Sequence, residues 1–90
     1  MYSLLADWLA DLLDTEYISV SDEETCDFYV IQRCRNNMNE AHYLAKFIRD
    51  IAGRDFDIDE MDRCGDAIQI GHLVLEPYVV IKLIEVYYCE

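Results

Sequence analysis

The residues most able to do chemistry in this chain are its carboxylates, which gather in three stretches of the sequence. The densest stretch carries Asp55, Asp57 and Asp59 at alternate positions, the spacing at which carboxylates converge on a calcium ion in a binding loop. Such a loop also needs glycine at its sixth position and glutamate at its twelfth, and this chain has Glu60 and Asp66 there. We therefore interpret the stretch as a solvated acidic surface, and we expect no metal and no other cofactor.

Cysteine and histidine are the other residue types that could ligate a metal or catalyse a reaction. The chain contains four cysteines and two histidines: Cys26, Cys34, Cys64, Cys89, His42 and His72. No two cysteines have the short spacing of a zinc knuckle, and reduced cysteines are ordinarily small core residues, which is the prediction for Cys26 and Cys34. The sequence also lacks a glycine-rich phosphate loop, a nucleophile elbow and a metalloprotease helix. We predict that the protein is not an enzyme; a site assembled only in space is the alternative.

The excess of acid is the strongest property of the whole chain. Nineteen Asp and Glu against seven Lys and Arg give a formal charge of −12, which repels nucleic acids and anionic membranes and favours a basic protein as partner. Two alternatives are adaptation to high salt and simple solubility of a small apolar domain. The candidate partner-binding residues lie in three groups: Asp7, Asp11 and Asp14; Asp22, Glu23 and Glu24; and Asp55, Asp57, Asp59, Glu60 and Asp62.

Length and composition predict one folded domain over residues 1–90. The chain is 53% hydrophobic and has three glycines and one proline, so it is too apolar for a disordered acidic tail and has no linker-like run. Its first residues lack the basic region of a signal peptide, and its longest apolar run is far too short to span a membrane. We expect a cytoplasmic protein, in the host cytoplasm if the chain is of phage origin.

Hydrophobic spacing predicts the elements that must position these carboxylates. A first helix places Leu5, Trp8, Leu9 and Leu12 on one side and Asp7, Asp11 and Asp14 on the other. Residues 17–20 and 26–33 have strand composition around a polar turn, which predicts a β-hairpin with Phe28 and Val30 on one face and Tyr29 and Ile31 on the other. A second helix is predicted from the Asn37/Glu40 capping pair to Gly53.

The last third of the chain is harder to assign. Asp57 and Glu60 could cap a short helix over residues 58–64, with Gly65 ending it. Residues 67–70 and 73–75 read as strand material on either side of Gly71 and His72, either one bent strand or a tight hairpin. After Pro77 a polar stripe with helical period favours a helix, although the composition favours a strand. The predicted fold is α+β, with two to three helices on one face of a small, mainly antiparallel sheet.

Small size, high negative charge and the lack of catalytic motifs resemble, in composition only, the phage and plasmid inhibitors that occupy the nucleic-acid grooves of host defence enzymes, such as anti-CRISPR and anti-restriction proteins. The resemblance implies an acidic nucleic-acid mimic that binds a basic partner and no nucleic acid or membrane. One alternative is an antitoxin or immunity protein that neutralises a basic nuclease or toxin. A further alternative is a structural or regulatory homo-oligomer, the simplest being a homodimer.

Overall fold

In the residues that the structure describes, the fold consists of two α-helices, one short 3-10 helix and six strands. The structure is a computed structural model that describes residues 3–12, 15–32, 40–79 and 86–88. The elements are α1 (Ser3–Leu12), β1 (Tyr17–Asp22), β2 (Phe28–Gln32), α2 (Glu40–Ala52), a 3-10 helix (Ile58–Glu60), β3 (Met61–Cys64), β4 (Ala67–Ile70), β5 (Leu73–Tyr78) and β6 (Val86–Tyr88). No helix among these is long and apolar enough to cross a membrane.

The strands lie in one sheet in the order β3-β4-β5-β1-β2-β6. Pairing is antiparallel everywhere except between β2 and β6, which run parallel. The predicted β1–β2 hairpin is confirmed, and residues 67–75 form a tight hairpin rather than one bent strand. The sheet is therefore mixed and larger than the sequence indicated.

Two-residue turns join β3 to β4 and β4 to β5. Their first residues, Gly65 and Gly71, have φ angles of 61° and 58°. A positive φ at this position belongs to the tight hairpin turns that match strand twist, and glycine adopts it without steric cost. The two turns lie at opposite ends of the sheet, because Cys64 pairs with Ala67 at one end and Ile70 pairs with Leu73 at the other.

The sheet has an inner face, which the helices cover, and an outer face. Leu9 and Leu12 of α1 and Leu44 and Ile48 of α2 are buried in one cluster with inner-face residues of β1, β2, β4 and β5. The predicted alternation in β2 is confirmed, with Ile31 in that cluster and Phe28 on the outer face. Burial of this cluster, at about 25 cal/mol per Å² of apolar area, holds the helices on the sheet.

The first and second predicted helices are confirmed, because their apolar spacing matches the helical period. Asp7 and Asp11 lie exposed on α1, whereas Leu9 and Leu12 are buried. The α2 helix ends where predicted: Gly53 has a φ of 74°, and its N–H donates to the Arg49 carbonyl at 2.8 Å. That bond satisfies a carbonyl at the helix end, as a glycine cap normally does.

The predicted short helix over residues 58–64 is wrong beyond its first turn. Glu60 does cap this turn, because its Oε2 accepts a hydrogen bond from the Asp57 N–H at 2.8 Å. The chain then enters β3, in which Met61 to Cys64 pair with β4. Gly65 was interpreted as a helix-ending glycine, but it forms the hairpin turn, which needs the same positive φ.

The predicted helix beginning at Pro77 is also wrong in the described residues. Pro77 and Tyr78 belong to β5, and residues 86–88 form β6; residues 80–85 lie outside the described ranges. On the β4 side the ladder ends at Leu75, so no hydrogen bond is lost where proline lacks its N–H.

The cysteines that the structure describes are exposed rather than buried. Cys26, predicted to lie in the core, is an exposed free thiol in the β1–β2 turn with a φ of 66°. Cys64 is an exposed free thiol at the end of β3. The turn spans residues 23–27 rather than 21–25, so β2 begins only at Phe28 and Cys26 lies outside it; Cys34 and Cys89 lie outside the described residues.

Candidate functional site

Strand register brings two of the three acidic groups to the same end of the sheet. Asp22 pairs with Leu73, and Leu73 pairs with Ile70. Ile70 in turn pairs with Met61, the residue directly after the 3-10 helix. The β1–β2 turn, residues 54–60 and the Gly71–His72 turn therefore lie together, and we call this end of the sheet the acidic end.

Asp22 organises the β1–β2 turn from inside. Its side chain is 4% exposed, and its Oδ1 accepts hydrogen bonds from the N–H groups of Glu24 at 2.9 Å and Thr25 at 3.2 Å. His72 Nδ1 lies 2.8 Å from the same oxygen, and it must be the donor because an ionised carboxylate only accepts. Burial alone would raise the pKa of Asp22, but the hydrogen bonds from His72 and the turn amides outweigh burial and hold its pKa below 3.8.

His72 links the β1–β2 turn to the residue 54–60 segment. Its carbonyl accepts a hydrogen bond from the Glu23 N–H at 2.7 Å, while its ring meets the edge of Phe56, with centroids 5.9 Å apart. The Phe56 ring also lies under the Arg54 guanidinium, whose central carbon is 4.1 Å from the ring centroid. These contacts form one continuous stack across the acidic end.

Arg54 and Glu60 close the stack with a two-point ion pair. Arg54 Nη2 lies 2.9 Å from Glu60 Oε1, and Nη1 lies 3.3 Å from Oε2. Hydrogen bonds from Arg54, and then from the Asp57 amide, hold the pKa of Glu60 below 4.5 despite some desolvation. The Arg54 pKa is raised, chiefly by the hydrogen bond with Glu60. Two of the predicted contact residues, Asp22 and Glu60, are thus engaged in holding the acidic end together.

The remaining acidic residues of this end are exposed. Glu23 accepts a hydrogen bond from Gln69 Nε2 at 3.1 Å, and Asp55 lies 3.8 Å from Arg49 Nε. Within the described ranges, five further carboxylates form no ion pair with Lys, Arg or His: Glu24, Asp27, Asp57 and Asp59 of this end and Asp62, two residues beyond it. The acidic end therefore carries charge that its own cations leave uncompensated.

The acidic group predicted on the first helix is placed elsewhere. Asp11 forms an ion pair with Arg63 of β3, and Arg63 also donates through Nε to the carbonyl of Gly65 at 3.2 Å. This contact lies beside the Gly65–Asp66 turn, at the opposite end of the sheet. Asp7 is exposed on α1, and Asp14 lies outside the described residues. Of the three predicted groups, the one that begins at Asp22 and the one that begins at Asp55 therefore lie together, and the group on α1 is separate from them.

The acidic end has one feature that resembles catalytic machinery, the Asp22–His72 pair. A nucleophile would have to bond to the histidine ring to complete a site. Within the described part of the chain, no Ser, Thr or Cys side chain hydrogen-bonds to His72, and Cys26 of the β1–β2 turn makes no such contact. Nor do any three His, Cys, Asp or Glu side chains of those residues form a group suited to a metal ion.

Sequence reasoning missed Arg54, Phe56 and His72, the residues that connect the two acidic groups. No sequence pattern singles out Arg54 or Phe56, and His72 stands out only as one of two histidines and as the neighbour of Gly71. The sequence separation between His72 and Asp22 is 50 residues, so no local pattern relates them. The hairpin signal at Gly71 was the one clue that could have placed His72 near another turn.

Comparisons of the chain with protein-family models, with curated protein sequences and with solved structures give no match. We therefore infer the function from the acidic end itself.

Proposed function

We propose that this protein is a non-enzymatic inhibitor that docks its acidic end on a basic, nucleic-acid-binding surface of a partner protein. The observation that carries the proposal is the group of exposed carboxylates at this end, among them Glu24, Asp57 and Asp59, which have no ion pair with described cationic residues. Uncompensated charges of one sign at one place favour a partner surface of the opposite sign.

The support beneath these carboxylates also favours a binding role. Asp22 fixes the β1–β2 turn, and Glu60 fixes the residue 54–60 segment through Arg54 and the Asp57 amide. Groups already held in place lose less conformational entropy when they bind, so more of the electrostatic attraction remains as affinity. A net charge of −12 should also speed association with a basic partner at low salt.

The test is affinity capture from the native host, followed by competition. We expect the captured protein to be basic in its nucleic-acid-binding surface, and we expect duplex DNA or structured RNA to displace the inhibitor. A captured basic toxin or nuclease encoded beside this chain would instead assign it to the antitoxin or immunity class. Failure of both DNA and RNA to displace the inhibitor would count against nucleic-acid mimicry.

A matched pair of charge-reversal variants locates the contact surface. The variant Glu23→Lys/Asp57→Lys/Asp59→Lys changes the acidic end, whereas Glu16→Lys/Asp66→Lys/Glu76→Lys changes exposed residues elsewhere on the sheet. Each variant moves the formal charge from −12 to −6, because each reversal adds two charges. We expect the first variant to weaken binding on the order of a hundredfold and the second by less than about threefold. Equal loss in both would mean that net charge, and not the acidic end, drives binding.

A further inference from the structure

Phe28 is a large apolar side chain that the fold leaves exposed at the acidic end. It is 48% exposed, and the other large hydrophobic residues exposed in the described ranges are Tyr43 and Val79, which lie in α2 and after β5. Exposed aromatic residues surrounded by polar groups are typical anchors of protein interfaces. It is the first residue of β2 and directly follows the β1–β2 turn of the acidic end.

Strand register places Phe28 at one end of a row that crosses the outer face of the sheet. Successive strand pairings connect the members of this row, which are Asp62, Gln69, Val74, Ser21 and Phe28. Four strand spacings of about 4.8 Å separate its ends by about 19 Å. The row is acidic at the Asp62 end and apolar at the Phe28 end, and its three middle residues are partly exposed.

The Phe28 ring is held in place before any partner arrives. It meets the ring of Tyr78, two strands away, edge to face, with centroids 5.7 Å apart and planes at 61°. Such a pair contributes favourable energy beyond the area that it buries. An anchor whose ring is already oriented loses little rotational freedom on binding.

The nearest carboxylate along the row is Glu23, and Asp27 belongs to the inner face. Asp27 directly precedes Phe28, but its carboxylate accepts a hydrogen bond from Thr25 Oγ1 at 2.8 Å and also bonds to Tyr29 of the inner face. Glu23 is held at the row by Gln69 Nε2, which lies 3.1 Å from its Oε1. A partner segment that continues from Phe28 along the row meets negative charge at Glu23 and then at Asp62, which favours basic residues within a few positions of its own apolar side chain.

We propose that Phe28 is the apolar anchor of the docking surface and receives a partner segment in which an aliphatic or aromatic side chain lies within a few residues of Lys or Arg. The inference rests on the proposed function for the sign of the partner's charge. It adds a hydrophobic contact, which salt does not screen, to an electrostatic one, which salt does.

Two synthetic peptides test the anchor without knowledge of the natural partner. Both are twelve residues long with six lysines at the same positions, and they differ only at the centre, which is leucine in one and glycine in the other. Fluorescence anisotropy measures their dissociation constants. We expect the leucine peptide to bind the unmodified protein about tenfold more tightly. Phe28→Ala should remove this difference and leave the glycine peptide unaffected, whereas Phe28→Leu should keep most of it.

Tyr43→Ala is the matched control, since it removes the exposed aromatic side chain of α2 and should retain the tenfold difference. Equal binding of the two peptides to the unmodified protein, or a difference that survives Phe28→Ala, would overturn the anchor. If both peptides bind equally and Glu23→Lys/Asp57→Lys/Asp59→Lys abolishes binding, the anchor fails and the acidic docking surface stands. If neither peptide binds, or if that variant binds as well as the unmodified protein, both proposals fail.

Discussion

At the acidic end, Asp22 and Glu60 bond to backbone amides, His72 and Arg54, whereas at the opposite end Asp11 bonds to the single side chain of Arg63. The acidic end thus has two kinds of carboxylate. Asp22 and Glu60 hold the turns through backbone N–H groups, and the others, such as Asp57, are exposed on those turns. The opposite end has a simple surface ion pair. A count of carboxylates in the sequence therefore does not reveal how many can meet a partner.

The two hairpin glycines offer the strongest way to break this contrast. A Cβ at Gly71 would lie 2.5 Å from Phe56 Cε1, whereas a Cβ at Gly65 would meet nothing within 4 Å. Both residues have positive φ, so alanine costs about 1–2 kcal/mol at either position. We expect Gly71→Ala to lower the free energy of unfolding by about 2–4 kcal/mol, because the Phe56 ring must also move. Urea denaturation measures the free energy of unfolding of both variants. Equal losses in Gly71→Ala and Gly65→Ala would show that the Phe56 ring moves aside at no cost.

The second prediction concerns the pH dependence that Asp22 confers. Its pKa is lower in the folded protein than its ordinary value of 3.8. The stability that it contributes is therefore fully present above about pH 4 and is lost as the pH falls through the folded-state pKa. We expect Asp22→Asn to be less stable than the unmodified protein at neutral pH and to lose less stability on acidification.

Thermal unfolding between pH 7 and pH 2.5 measures this difference. Asp66→Asn, which changes an exposed turn carboxylate at the opposite end, is the control and should follow the unmodified protein. If the unfolding temperature of Asp22→Asn falls with pH in parallel with that of the unmodified protein, Asp22 does not stabilise the turn through its ionised form.

The smallest expected effects come from the two arginines. Arg63→Ala removes an exposed ion pair with Asp11 and should lower the free energy of unfolding by about 0.2–1 kcal/mol. Arg54→Ala removes the two-point pair with Glu60 and the packing over Phe56, so its loss should be larger. Urea denaturation in low and high salt compares them, and salt should weaken the Arg63 contribution more. The reverse ranking would contradict the contrast between the two ends.

Local periodicity explains which parts of the fold the sequence predicts. Leu9 and Leu12, like Leu44 and Ile48, repeat at helical spacing on one face, and Tyr29 and Ile31 alternate with outward residues in β2. Each of these patterns involves residues only two to four positions apart in the sequence. Each therefore indicates a helix or a strand without knowledge of the rest of the chain.

The errors have equally local causes. Gly53 ends a helix and Gly65 turns a hairpin, yet both have positive φ, so a glycine after a predicted element has two possible meanings. At Pro77 the missing N–H does no harm because β4 has already ended, and the sequence does not reveal where a neighbouring strand stops. The candidate site was predicted as separate acidic groups; their union depends on the distant pairings of Asp22, Leu73, Ile70 and Met61.

The exposed thiols of Cys26 and Cys64 give the molecule two built-in attachment points. Cys26 lies in the turn of the acidic end, and Cys64 lies beside the turn at the opposite end. A maleimide dye on Cys26 in a variant that keeps only this thiol would report directly on partner docking. The same dye on Cys64 alone would serve as the internal reference. A signal change confined to the Cys26 conjugate would map the contact without a structure of the complex.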